Sequence, residues 1–139
     1  MTWQGGDNPP DILVVDDEKR IADTLTLILR SKCYVVTTAY DGNQAYESCR
    51  RVAPRLVITD VVMPVMNGVE LAMKVRSEIP HCAVLLFSGQ AATSDMLHEA
   101  SERGFHFDLL AKPVHPEQLL AKVRELIGSA PTSQPTTES

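Results

Sequence analysis

Polar side chains that could do chemistry follow four apolar runs of this chain. The runs end at Asp16-Asp17-Glu18, at Asp60, at Ser88-Gly89 and at Lys112-Pro113. Taken singly, each has a plainer interpretation, since Asp16 or Asp17 would serve as a helix cap and Lys112 as a solvated surface lysine. Chance poorly explains why four separate apolar runs are followed by several acids, a hydroxyl and a cation. We therefore treat them as one candidate site.

The combination predicts phosphoryl transfer assisted by a divalent cation. Clustered carboxylates repel one another at neutral pH and favour a cation between them. Asp17 and Asp60, with a water held by Asp16, offer the hard oxygen ligands that Mg²⁺ prefers. A carboxylate such as Asp60 can attack phosphorus to form an aspartyl-phosphate. Mg²⁺ and Lys112 would then offset the charge on the equatorial oxygens of the transferred group.

The elements that must position these residues alternate along the chain. Continuous apolar runs, typical of strands buried on both faces, occur at Ile12–Val15, Tyr34–Thr38, Leu56–Thr59, Ala83–Phe87 and Asp108–Ala111. Helical stripes are formed by Ile21, Leu25, Ile28 and Leu29, by Leu71, Ala72, Val75 and Ile79 before Pro80, and by Leu119, Val123, Leu126 and Ile127 before Gly128, a good residue for a left-handed cap. Weaker helices are predicted between Gln44 and Val52, after a turn at Asp41-Gly42-Asn43, and between Ala92 and Arg103, with Gly104 as the cap.

Five strands that alternate with five helices predict a doubly wound α/β fold with a parallel sheet and right-handed crossovers. In such a sheet the ligand site lies beyond the carboxyl ends of the strands, where the strand order reverses. The polar run ends would all meet at that edge. The fold pattern and the candidate chemistry are therefore consistent.

Composition indicates one globular domain in a chain of 139 residues. We predict a flexible N-terminus over residues 1–10, a domain over residues 11–128 and a disordered tail over residues 129–139. The formal charge of −5 argues against direct nucleic-acid binding. With no apolar run near the ~18–20 residues of a membrane span and no signal sequence, a cytoplasmic location is expected. Cys33, Cys49 and Cys82 are interpreted as reduced and mostly buried thiols, and the four histidines as surface or packing residues.

The chain resembles the receiver domains of two-component response regulators, in particular chemotaxis regulators. The resemblance runs from Asp11 to Leu126, and the matching motifs are Ile12-Leu13-Val14-Val15-Asp16-Asp17-Glu18, Asp60-Val61-Val62-Met63-Pro64-Val65-Met66-Asn67-Gly68, Ser88-Gly89 and Lys112-Pro113. It implies a flavodoxin-like five-stranded parallel sheet of order 2-1-3-4-5 with five helices. It also implies a Lys112–Pro113 bond that is commonly cis.

The resemblance also assigns roles to residues. Asp60 would be the phosphoacceptor, phosphorylated from the phosphohistidine of a sensor histidine kinase. Mg²⁺ would be held by Asp17, Asp60, the backbone carbonyl of Val62 and, through a water, Asp16. Ser88 would be the switch hydroxyl and Lys112 the characteristic lysine. Val62 and Gln90 would flank the path of the hydrolytic water. Such a domain catalyses its own phosphorylation and dephosphorylation and is otherwise not an enzyme.

The implied partners are a sensor histidine kinase or a phosphotransfer protein. Its helix is expected to dock near the first helix and the Lys112-Pro113-Val114 loop. Phosphorylation would then switch a protein-interaction surface around the fourth helix and the fifth strand, with a phosphorylation-dependent homodimer as an open alternative. The downstream partner is not indicated. The short segment after the domain favours a stand-alone receiver over part of a longer regulator.

One position departs from the family pattern. The aromatic switch residue usually stands three positions before the lysine, where this chain has Leu109. Phe107 would lie on the same side of the strand and could replace that aromatic ring in part. Two rival functions remain at this point. A phosphatase or dehalogenase-like hydrolase usually has a second acid two residues after its nucleophile, but here that residue is Val62. The complete acidic set argues against a pseudo-receiver that is not phosphorylated.

Overall fold

A computed structural model describes residues 11–89 and 93–128. Ten elements alternate in this part of the chain: β1 (Ile12–Val15), α1 (Lys19–Arg30), β2 (Val36–Ala39), α2 (Gly42–Val52), β3 (Leu56–Asp60), α3 (Gly68–Glu78), β4 (Ala83–Ser88), α4 (Thr93–Glu102), β5 (Asp108–Ala111) and α5 (Pro116–Ile127). The predicted flexible N-terminus, the predicted disordered tail and Gln90 lie outside the described residues. Within those residues no helix is both long enough and apolar enough to cross a bilayer.

The five strands form one parallel sheet in the order β2-β1-β3-β4-β5, as predicted. The strand order reverses at β1, which pairs with β2 on one side and with β3 on the other. The register places Val15 opposite Thr59 and Asp60 opposite Phe87. Asp16, which follows β1, and Asp60, which ends β3, therefore lie beside each other at the carboxyl edge of the sheet.

Alternate residues of the central strands pack against opposite helical layers. Ile12 and Val14 belong to a core cluster with residues of α1 and α5, including Leu25 and Leu119. Leu13 and Val15 face the other layer, where α2 and α3 contribute Ala45, Cys49, Leu71 and Val75. Farther along that layer, Val84 and Leu86 of β4 pack with Val69 and Ala72 of α3 and Ala100 of α4. Both faces of the central strands are covered, which explains their continuous apolar runs.

The edge strand β5 does not follow that prediction. Leu109 is 42% exposed, and Ala111 is exposed as well. The reason is that β5 has a neighbour on one side, β4, and lies at the margin of both helical layers. The prediction of burial on both faces is therefore wrong for this strand, although its bounds were predicted correctly.

Several element boundaries differ from those predicted: β2, β3 and β4 each end one residue later, and the starts of β2 and α2 differ by two residues. Strand β2 begins at Val36 instead of Tyr34, because Tyr34 and Val35 make other contacts. The Tyr34 hydroxyl donates to the carbonyl of Gly128 at 2.8 Å, and the Val35 N–H donates to the carboxylate of Asp11 at 2.9 Å. Helix α2 begins at Gly42, since the side chain of the preceding Asp41 accepts from the Gln44 N–H.

Helix ends follow the sequence signals. Gly104 follows α4 with a φ of +91°, and Gly128 ends α5 with a φ of +79° and a ψ of −174°. Both values of φ favour glycine, although the ψ of Gly128 differs from that of the predicted left-handed cap. The thiols of Cys49 and Cys82 are buried as predicted, whereas Cys33 is exposed. All four histidines are exposed.

Candidate functional site

Three aspartates meet at the carboxyl edge of the sheet. Asp16 directly follows β1 and is fully buried, Asp17 is exposed, and Asp60 is the last residue of β3 and 5% exposed. Each offers a carboxylate oxygen, and these oxygens lie within 4.8 Å of one another. The predicted acidic cluster is therefore present, and it results from the parallel register of β1 and β3.

Asp16 is held in an unusual environment for a carboxylate. One oxygen accepts a hydrogen bond from the Glu18 N–H at 2.8 Å, whereas Oδ2 is buried and has no hydrogen-bond partner among the described residues. Burial raises the pKa of Asp16 from 3.8 to about 6, and the charges of Asp60 and Asp17 act in the same direction. The Glu18 N–H and the Lys112 ammonium oppose this increase in pKa without cancelling it.

Asp60 is paired with the predicted lysine. The Nζ atom of Lys112 lies 3.2 Å from Oδ1 of Asp60, and the Lys112 side chain is partly exposed at 28%. Burial raises the pKa of the Asp60 carboxyl, while the Lys112 ammonium and the N–H groups of Val62 and Val61 favour its ionised form. The Lys112–Pro113 peptide bond is cis, in agreement with the resemblance.

The acidic cluster fits a hard divalent cation. A buried carboxylate oxygen without a hydrogen bond is costly, and a cation would offset that cost. Carboxylate oxygens are the ligands that Mg²⁺ prefers, and the exposure of Asp17 leaves room for water, which Mg²⁺ usually retains. The residues that would hold it are Asp16, Asp17 and Asp60.

Ser88 and Val62 complete the set of predicted residues. Ser88 is the last residue of β4 and is 8% exposed, and its carbonyl accepts from the Lys112 N–H at 3.1 Å. Val62 lies two residues beyond Asp60 at the rim of the site and is 48% exposed. Those predicted site residues that the structure describes therefore share one edge of the sheet, and Gln90 lies outside the described residues.

The loop between Asp60 and α3 is fixed at both ends. The Val61 N–H donates to the carbonyl of Phe87 at 3.2 Å, and the Gly68 N–H donates to the carbonyl of Val61 at 2.7 Å. Asn67 and Glu70 form a capping box at the start of α3, with hydrogen bonds of 2.8 and 3.0 Å. These contacts fix the backbone conformation of the segment directly after Asp60.

The structure also shows a neighbour of the site that the sequence did not indicate. The ring of Phe87 lies beneath the Lys112 ammonium, with Nζ 5.2 Å from the ring centroid. Phe87 precedes Ser88 within an apolar run, so its type and position suggested a core residue. No local sequence signal distinguishes it, because the contact depends on how β4 and β5 pair.

Phe107 does not take the place of the usual aromatic switch residue. It precedes β5, stacks on Phe105 with a centroid distance of 6.1 Å and lies under the guanidinium of Arg76. Leu109, which occupies the usual aromatic position, lies opposite Leu86 of β4. The partial replacement by Phe107 considered from the sequence is therefore not supported by its contacts.

Comparison with known proteins identifies the family to which the chain belongs. The family model described as "Response regulator receiver domain" matches residues 12–124. The probable transcriptional regulatory protein TcrX of Mycobacterium tuberculosis is 35% identical over 119 residues, which are 86% of this chain and 50% of TcrX. The DNA-binding response regulator MtrA of Mycobacterium leprae is 33% identical over 115 residues, 81% of this chain and 49% of MtrA. The chain thus spans about half the length of these curated relatives.

Solved structures share the whole architecture. The chemotaxis protein CheY4 of Vibrio cholerae superposes with a TM-score of 0.75 at 27% identity, covering 86% of this chain and 100% of CheY4. A response regulator receiver domain protein from Clostridium thermocellum gives a TM-score of 0.76 at 27% identity, covering 84% of this chain and 92% of that one. Together with the parallel sheet of order 2-1-3-4-5 and the family match across residues 12–124, these similarities show that the chain belongs to the response regulator receiver domains of two-component systems.

Proposed function

We propose that Asp60 is the phosphoacceptor of this receiver domain, assisted by Lys112 and by Mg²⁺ bound at the acidic cluster. The observation that carries the proposal is the placement of a buried carboxylate 3.2 Å from a lysine and within 4.8 Å of two further carboxylates. Asp16, through a water, Asp17, Asp60 and the carbonyl of Val62 would hold the cation. When bound, Mg²⁺ would supply positive charge to the transferring phosphoryl group.

The transfer is a substitution at phosphorus. A carboxylate oxygen of Asp60 attacks, the new O–P bond forms, and the P–N bond to the donor's phosphohistidine breaks. The departing imidazole keeps the electron pair of that bond and takes up a proton. Lys112 places its ammonium beside the attacking carboxylate, where it offsets charge on the phosphoryl oxygens. The domain would thereby catalyse its own phosphorylation and, with water as the nucleophile, its own dephosphorylation.

The test is replacement of the nucleophile. Asp60→Asn should abolish acid-labile labelling by acetyl phosphate in Mg²⁺ buffer, because an amide oxygen is not a competent nucleophile. Asp108→Asn is a matched control, since Asp108 also faces a lysine, with Lys122 Nζ at 3.8 Å, but lies at the other end of its strand. The control should be labelled at the wild-type rate. Wild-type labelling of Asp60→Asn would show that the phosphoacceptor is another residue.

The donor of the phosphoryl group would be a histidine kinase or a phosphotransfer protein, which this domain would meet in the cytoplasm. An apolar groove of about 490 Å³ opens beside Lys112. Its walls are Ile21, Leu25 and Ile28 of α1 on one side and Pro113 and Val114 on the other. An amphipathic helix of the donor fits such a groove, and its phosphohistidine would then lie near Asp60.

Two substitutions on α1 separate docking from chemistry. Ile28→Glu places a charge in the groove and should slow transfer from a phosphorylated protein donor while labelling by acetyl phosphate stays normal. Leu27→Glu is the matched control, because Leu27 is 68% exposed and does not line the groove. Equal transfer to both variants would show that the donor docks elsewhere.

Phosphorylation would change partner binding at the surface around α4 and β5. Phosphorylation adds charge and acceptor oxygens at Asp60, and Ser88 at the end of β4 would respond to them. Leu109 presents an apolar side chain on the neighbouring edge strand, where a downstream protein or a second copy of the domain would bind. Light scattering of the domain with and without a beryllium fluoride phosphoryl mimic would distinguish a homodimer from a monomer. Whether the domain acts alone stays a prediction.

A further inference from the structure

The ammonium group of Lys112 lies between a carboxylate and an aromatic face. Its Nζ atom is 3.2 Å from Asp60 Oδ1 and 5.2 Å from the centroid of the Phe87 ring. A cation within about 6 Å of a ring centroid is attracted by the negative face of the ring. Lys112 is therefore held by two independent attractions, one from the proposed nucleophile and one from a residue that takes no part in the chemistry.

Phe87 is well placed to be a rigid support. It is 1% exposed, pairs with Asp60 in the register of β3 and β4, and packs in the core cluster that contains Leu25 and Leu119. Its backbone carbonyl accepts the N–H of Val61, the residue after Asp60. The ring and the Asp60 side chain therefore stand on adjacent, paired strands. A cation held on the face of the ring stays at a constant distance from Asp60.

We propose that Phe87 is a positioning residue for Lys112, whose aromatic face keeps the ammonium beside Asp60 when the phosphoryl group arrives. This inference rests on the proposed function of Asp60 and Lys112. The Asp60 carboxylate loses its negative charge when its oxygen bonds to phosphorus. The Lys112 ammonium must then pair with the phosphoryl oxygens instead. The ring attracts the ammonium before and after that exchange, because its own position does not change.

The need for such a support follows from the lysine side chain. Lys112 has a flexible stem and is 28% exposed, so an ammonium without a second attraction would lose order once Asp60 is modified. An aliphatic residue at position 87 would fill the same volume but would present no negative face. Core packing alone accounts for the burial of Phe87. It does not account for the cation above its ring.

Fluorination of the ring separates electrostatics from packing. Replacing Phe87 site-specifically by mono-, di- and trifluorophenylalanine nearly keeps the shape of the ring while progressively weakening its negative face. We expect the maximal rate of labelling by acetyl phosphate to fall stepwise, by about two- to fivefold in total, the range expected for an attraction of this kind. The concentration of acetyl phosphate at half-maximal rate and the Mg²⁺ affinity, measured by titration calorimetry, should stay constant.

The same series at Phe107 is the matched control. Phe107 also lies under a cation, with the Arg76 guanidinium 5.1 Å from its centroid, but it precedes β5 and is not part of the site. Fluorination there should leave the labelling rate unchanged. A double-mutant cycle gives a second measurement that needs no fluorinated residue. Phe87→Leu should slow labelling in the wild-type background and have no further effect in a Lys112→Ala background, because both changes remove the same contact.

The outcomes are distinguishable. Stepwise slowing at Phe87, none at Phe107 and non-additivity with Lys112→Ala would support the inference. A labelling rate that does not change with fluorination at Phe87, or Phe87 and Lys112 effects that simply add, would overturn it and leave the proposed function intact. Failure of the wild-type protein to be labelled at all would overturn the proposed function, and this inference with it.

Discussion

Gly68 and Asp60 approach each other so closely that no side chain fits between them. A Cβ atom built on Gly68 would lie 2.1 Å from the carbonyl oxygen of Asp60 and 2.9 Å from its carbonyl carbon. The Gly68 N–H also donates to the carbonyl of the next residue, Val61, at 2.7 Å. The start of α3 therefore packs directly against the end of β3, and this contact sets the course of the chain after the proposed nucleophile.

Gly68→Ala should destabilise the domain. The methyl group would meet backbone atoms of β3, which cannot rotate away as the end of a side chain can. We expect the free energy of unfolding to fall by about 2 kcal/mol or more, as for other overpacked sites. Urea denaturation measures this change. Gly89→Ala is the control, because its Cβ would lie 3.5 Å from Lys112 Cβ, an ordinary contact. Equal midpoints for the two variants would contradict the expected clash.

The sequence predicted which residues meet at the candidate site, because those residues end strands. Parallel strands bring their carboxyl ends to one edge, so recognising β1, β3, β4 and β5 was sufficient to bring Asp16, Asp60, Ser88 and Lys112 together. Residues whose roles depend on contacts across the fold were not predictable in this way. The sequence pattern placed the start of β2 at Tyr34. In the structure the Tyr34 hydroxyl instead donates to the carbonyl of Gly128 at the end of α5. Phe87 was indistinguishable from other core residues for the same reason.

Val65 should be a destabilising residue in the wild-type protein. It has a φ of +71° and is 93% exposed, so a β-branched side chain occupies the left-handed region without packing contacts that would compensate. Val65→Asn should raise the free energy of unfolding by about 1 kcal/mol, since asparagine tolerates this backbone conformation. Urea denaturation would show the increase. Val65→Ala, which also removes apolar surface and the β-branch but has no side-chain amide to hydrogen-bond the local backbone, should give a smaller gain. An equal gain from alanine would attribute the effect to the loss of exposed apolar surface and of the β-branch, and not to the backbone preference of asparagine.

Asp16 should make stability fall as the pH rises when no divalent cation is present. Its pKa is about 6 in the folded protein and near 3.8 when unfolded, so between these values the folded state binds more protons. The stabilising contribution of Asp16 to the free energy of unfolding is therefore fully present below about pH 4 and is lost as the pH rises through 6. We expect a loss of roughly 2–3 kcal/mol from Asp16. Urea denaturation in EDTA between pH 4 and 7 measures it.

Comparison with Asp16→Asn isolates this contribution from the other acids. The variant should lose less stability than the wild type between pH 4 and 7, since its side chain does not ionise; the part that remains comes from other carboxyls such as Asp60, whose pKa burial also raises. Asp95→Asn changes an exposed aspartate of α4 and should keep the wild-type slope. Adding Mg²⁺ at pH 7 should restore stability in the wild type, because the cation stabilises the ionised cluster. A wild-type slope in Asp16→Asn would show that another group titrates.

The lifetime of the phosphorylated form should be set in part by Val62. This side chain is 48% exposed at the rim of the site, two residues beyond Asp60, where the family resemblance places the path of the hydrolytic water. A valine can neither orient nor deprotonate a water for in-line attack. Gly89 is small and exposed, which leaves access open and works in the other direction. Orientation should outweigh access, because an unoriented water loses most of the entropic advantage of a bound nucleophile.

Val62→Asn should therefore shorten the lifetime of the phosphorylated domain by about three- to tenfold, since the amide can hydrogen-bond the attacking water. The measurement is loss of label from purified phosphoprotein in Mg²⁺ buffer, with the wild type beside the variant. Val65→Asn makes the same chemical change in the same loop, on a side chain that is 93% exposed and three residues farther along, and should keep the wild-type rate. If Val62→Asn loses label no faster than the wild type, the side chain at position 62 does not limit attack by water. The lifetime of the phosphorylated domain would then be set by other features of the path, such as its shape.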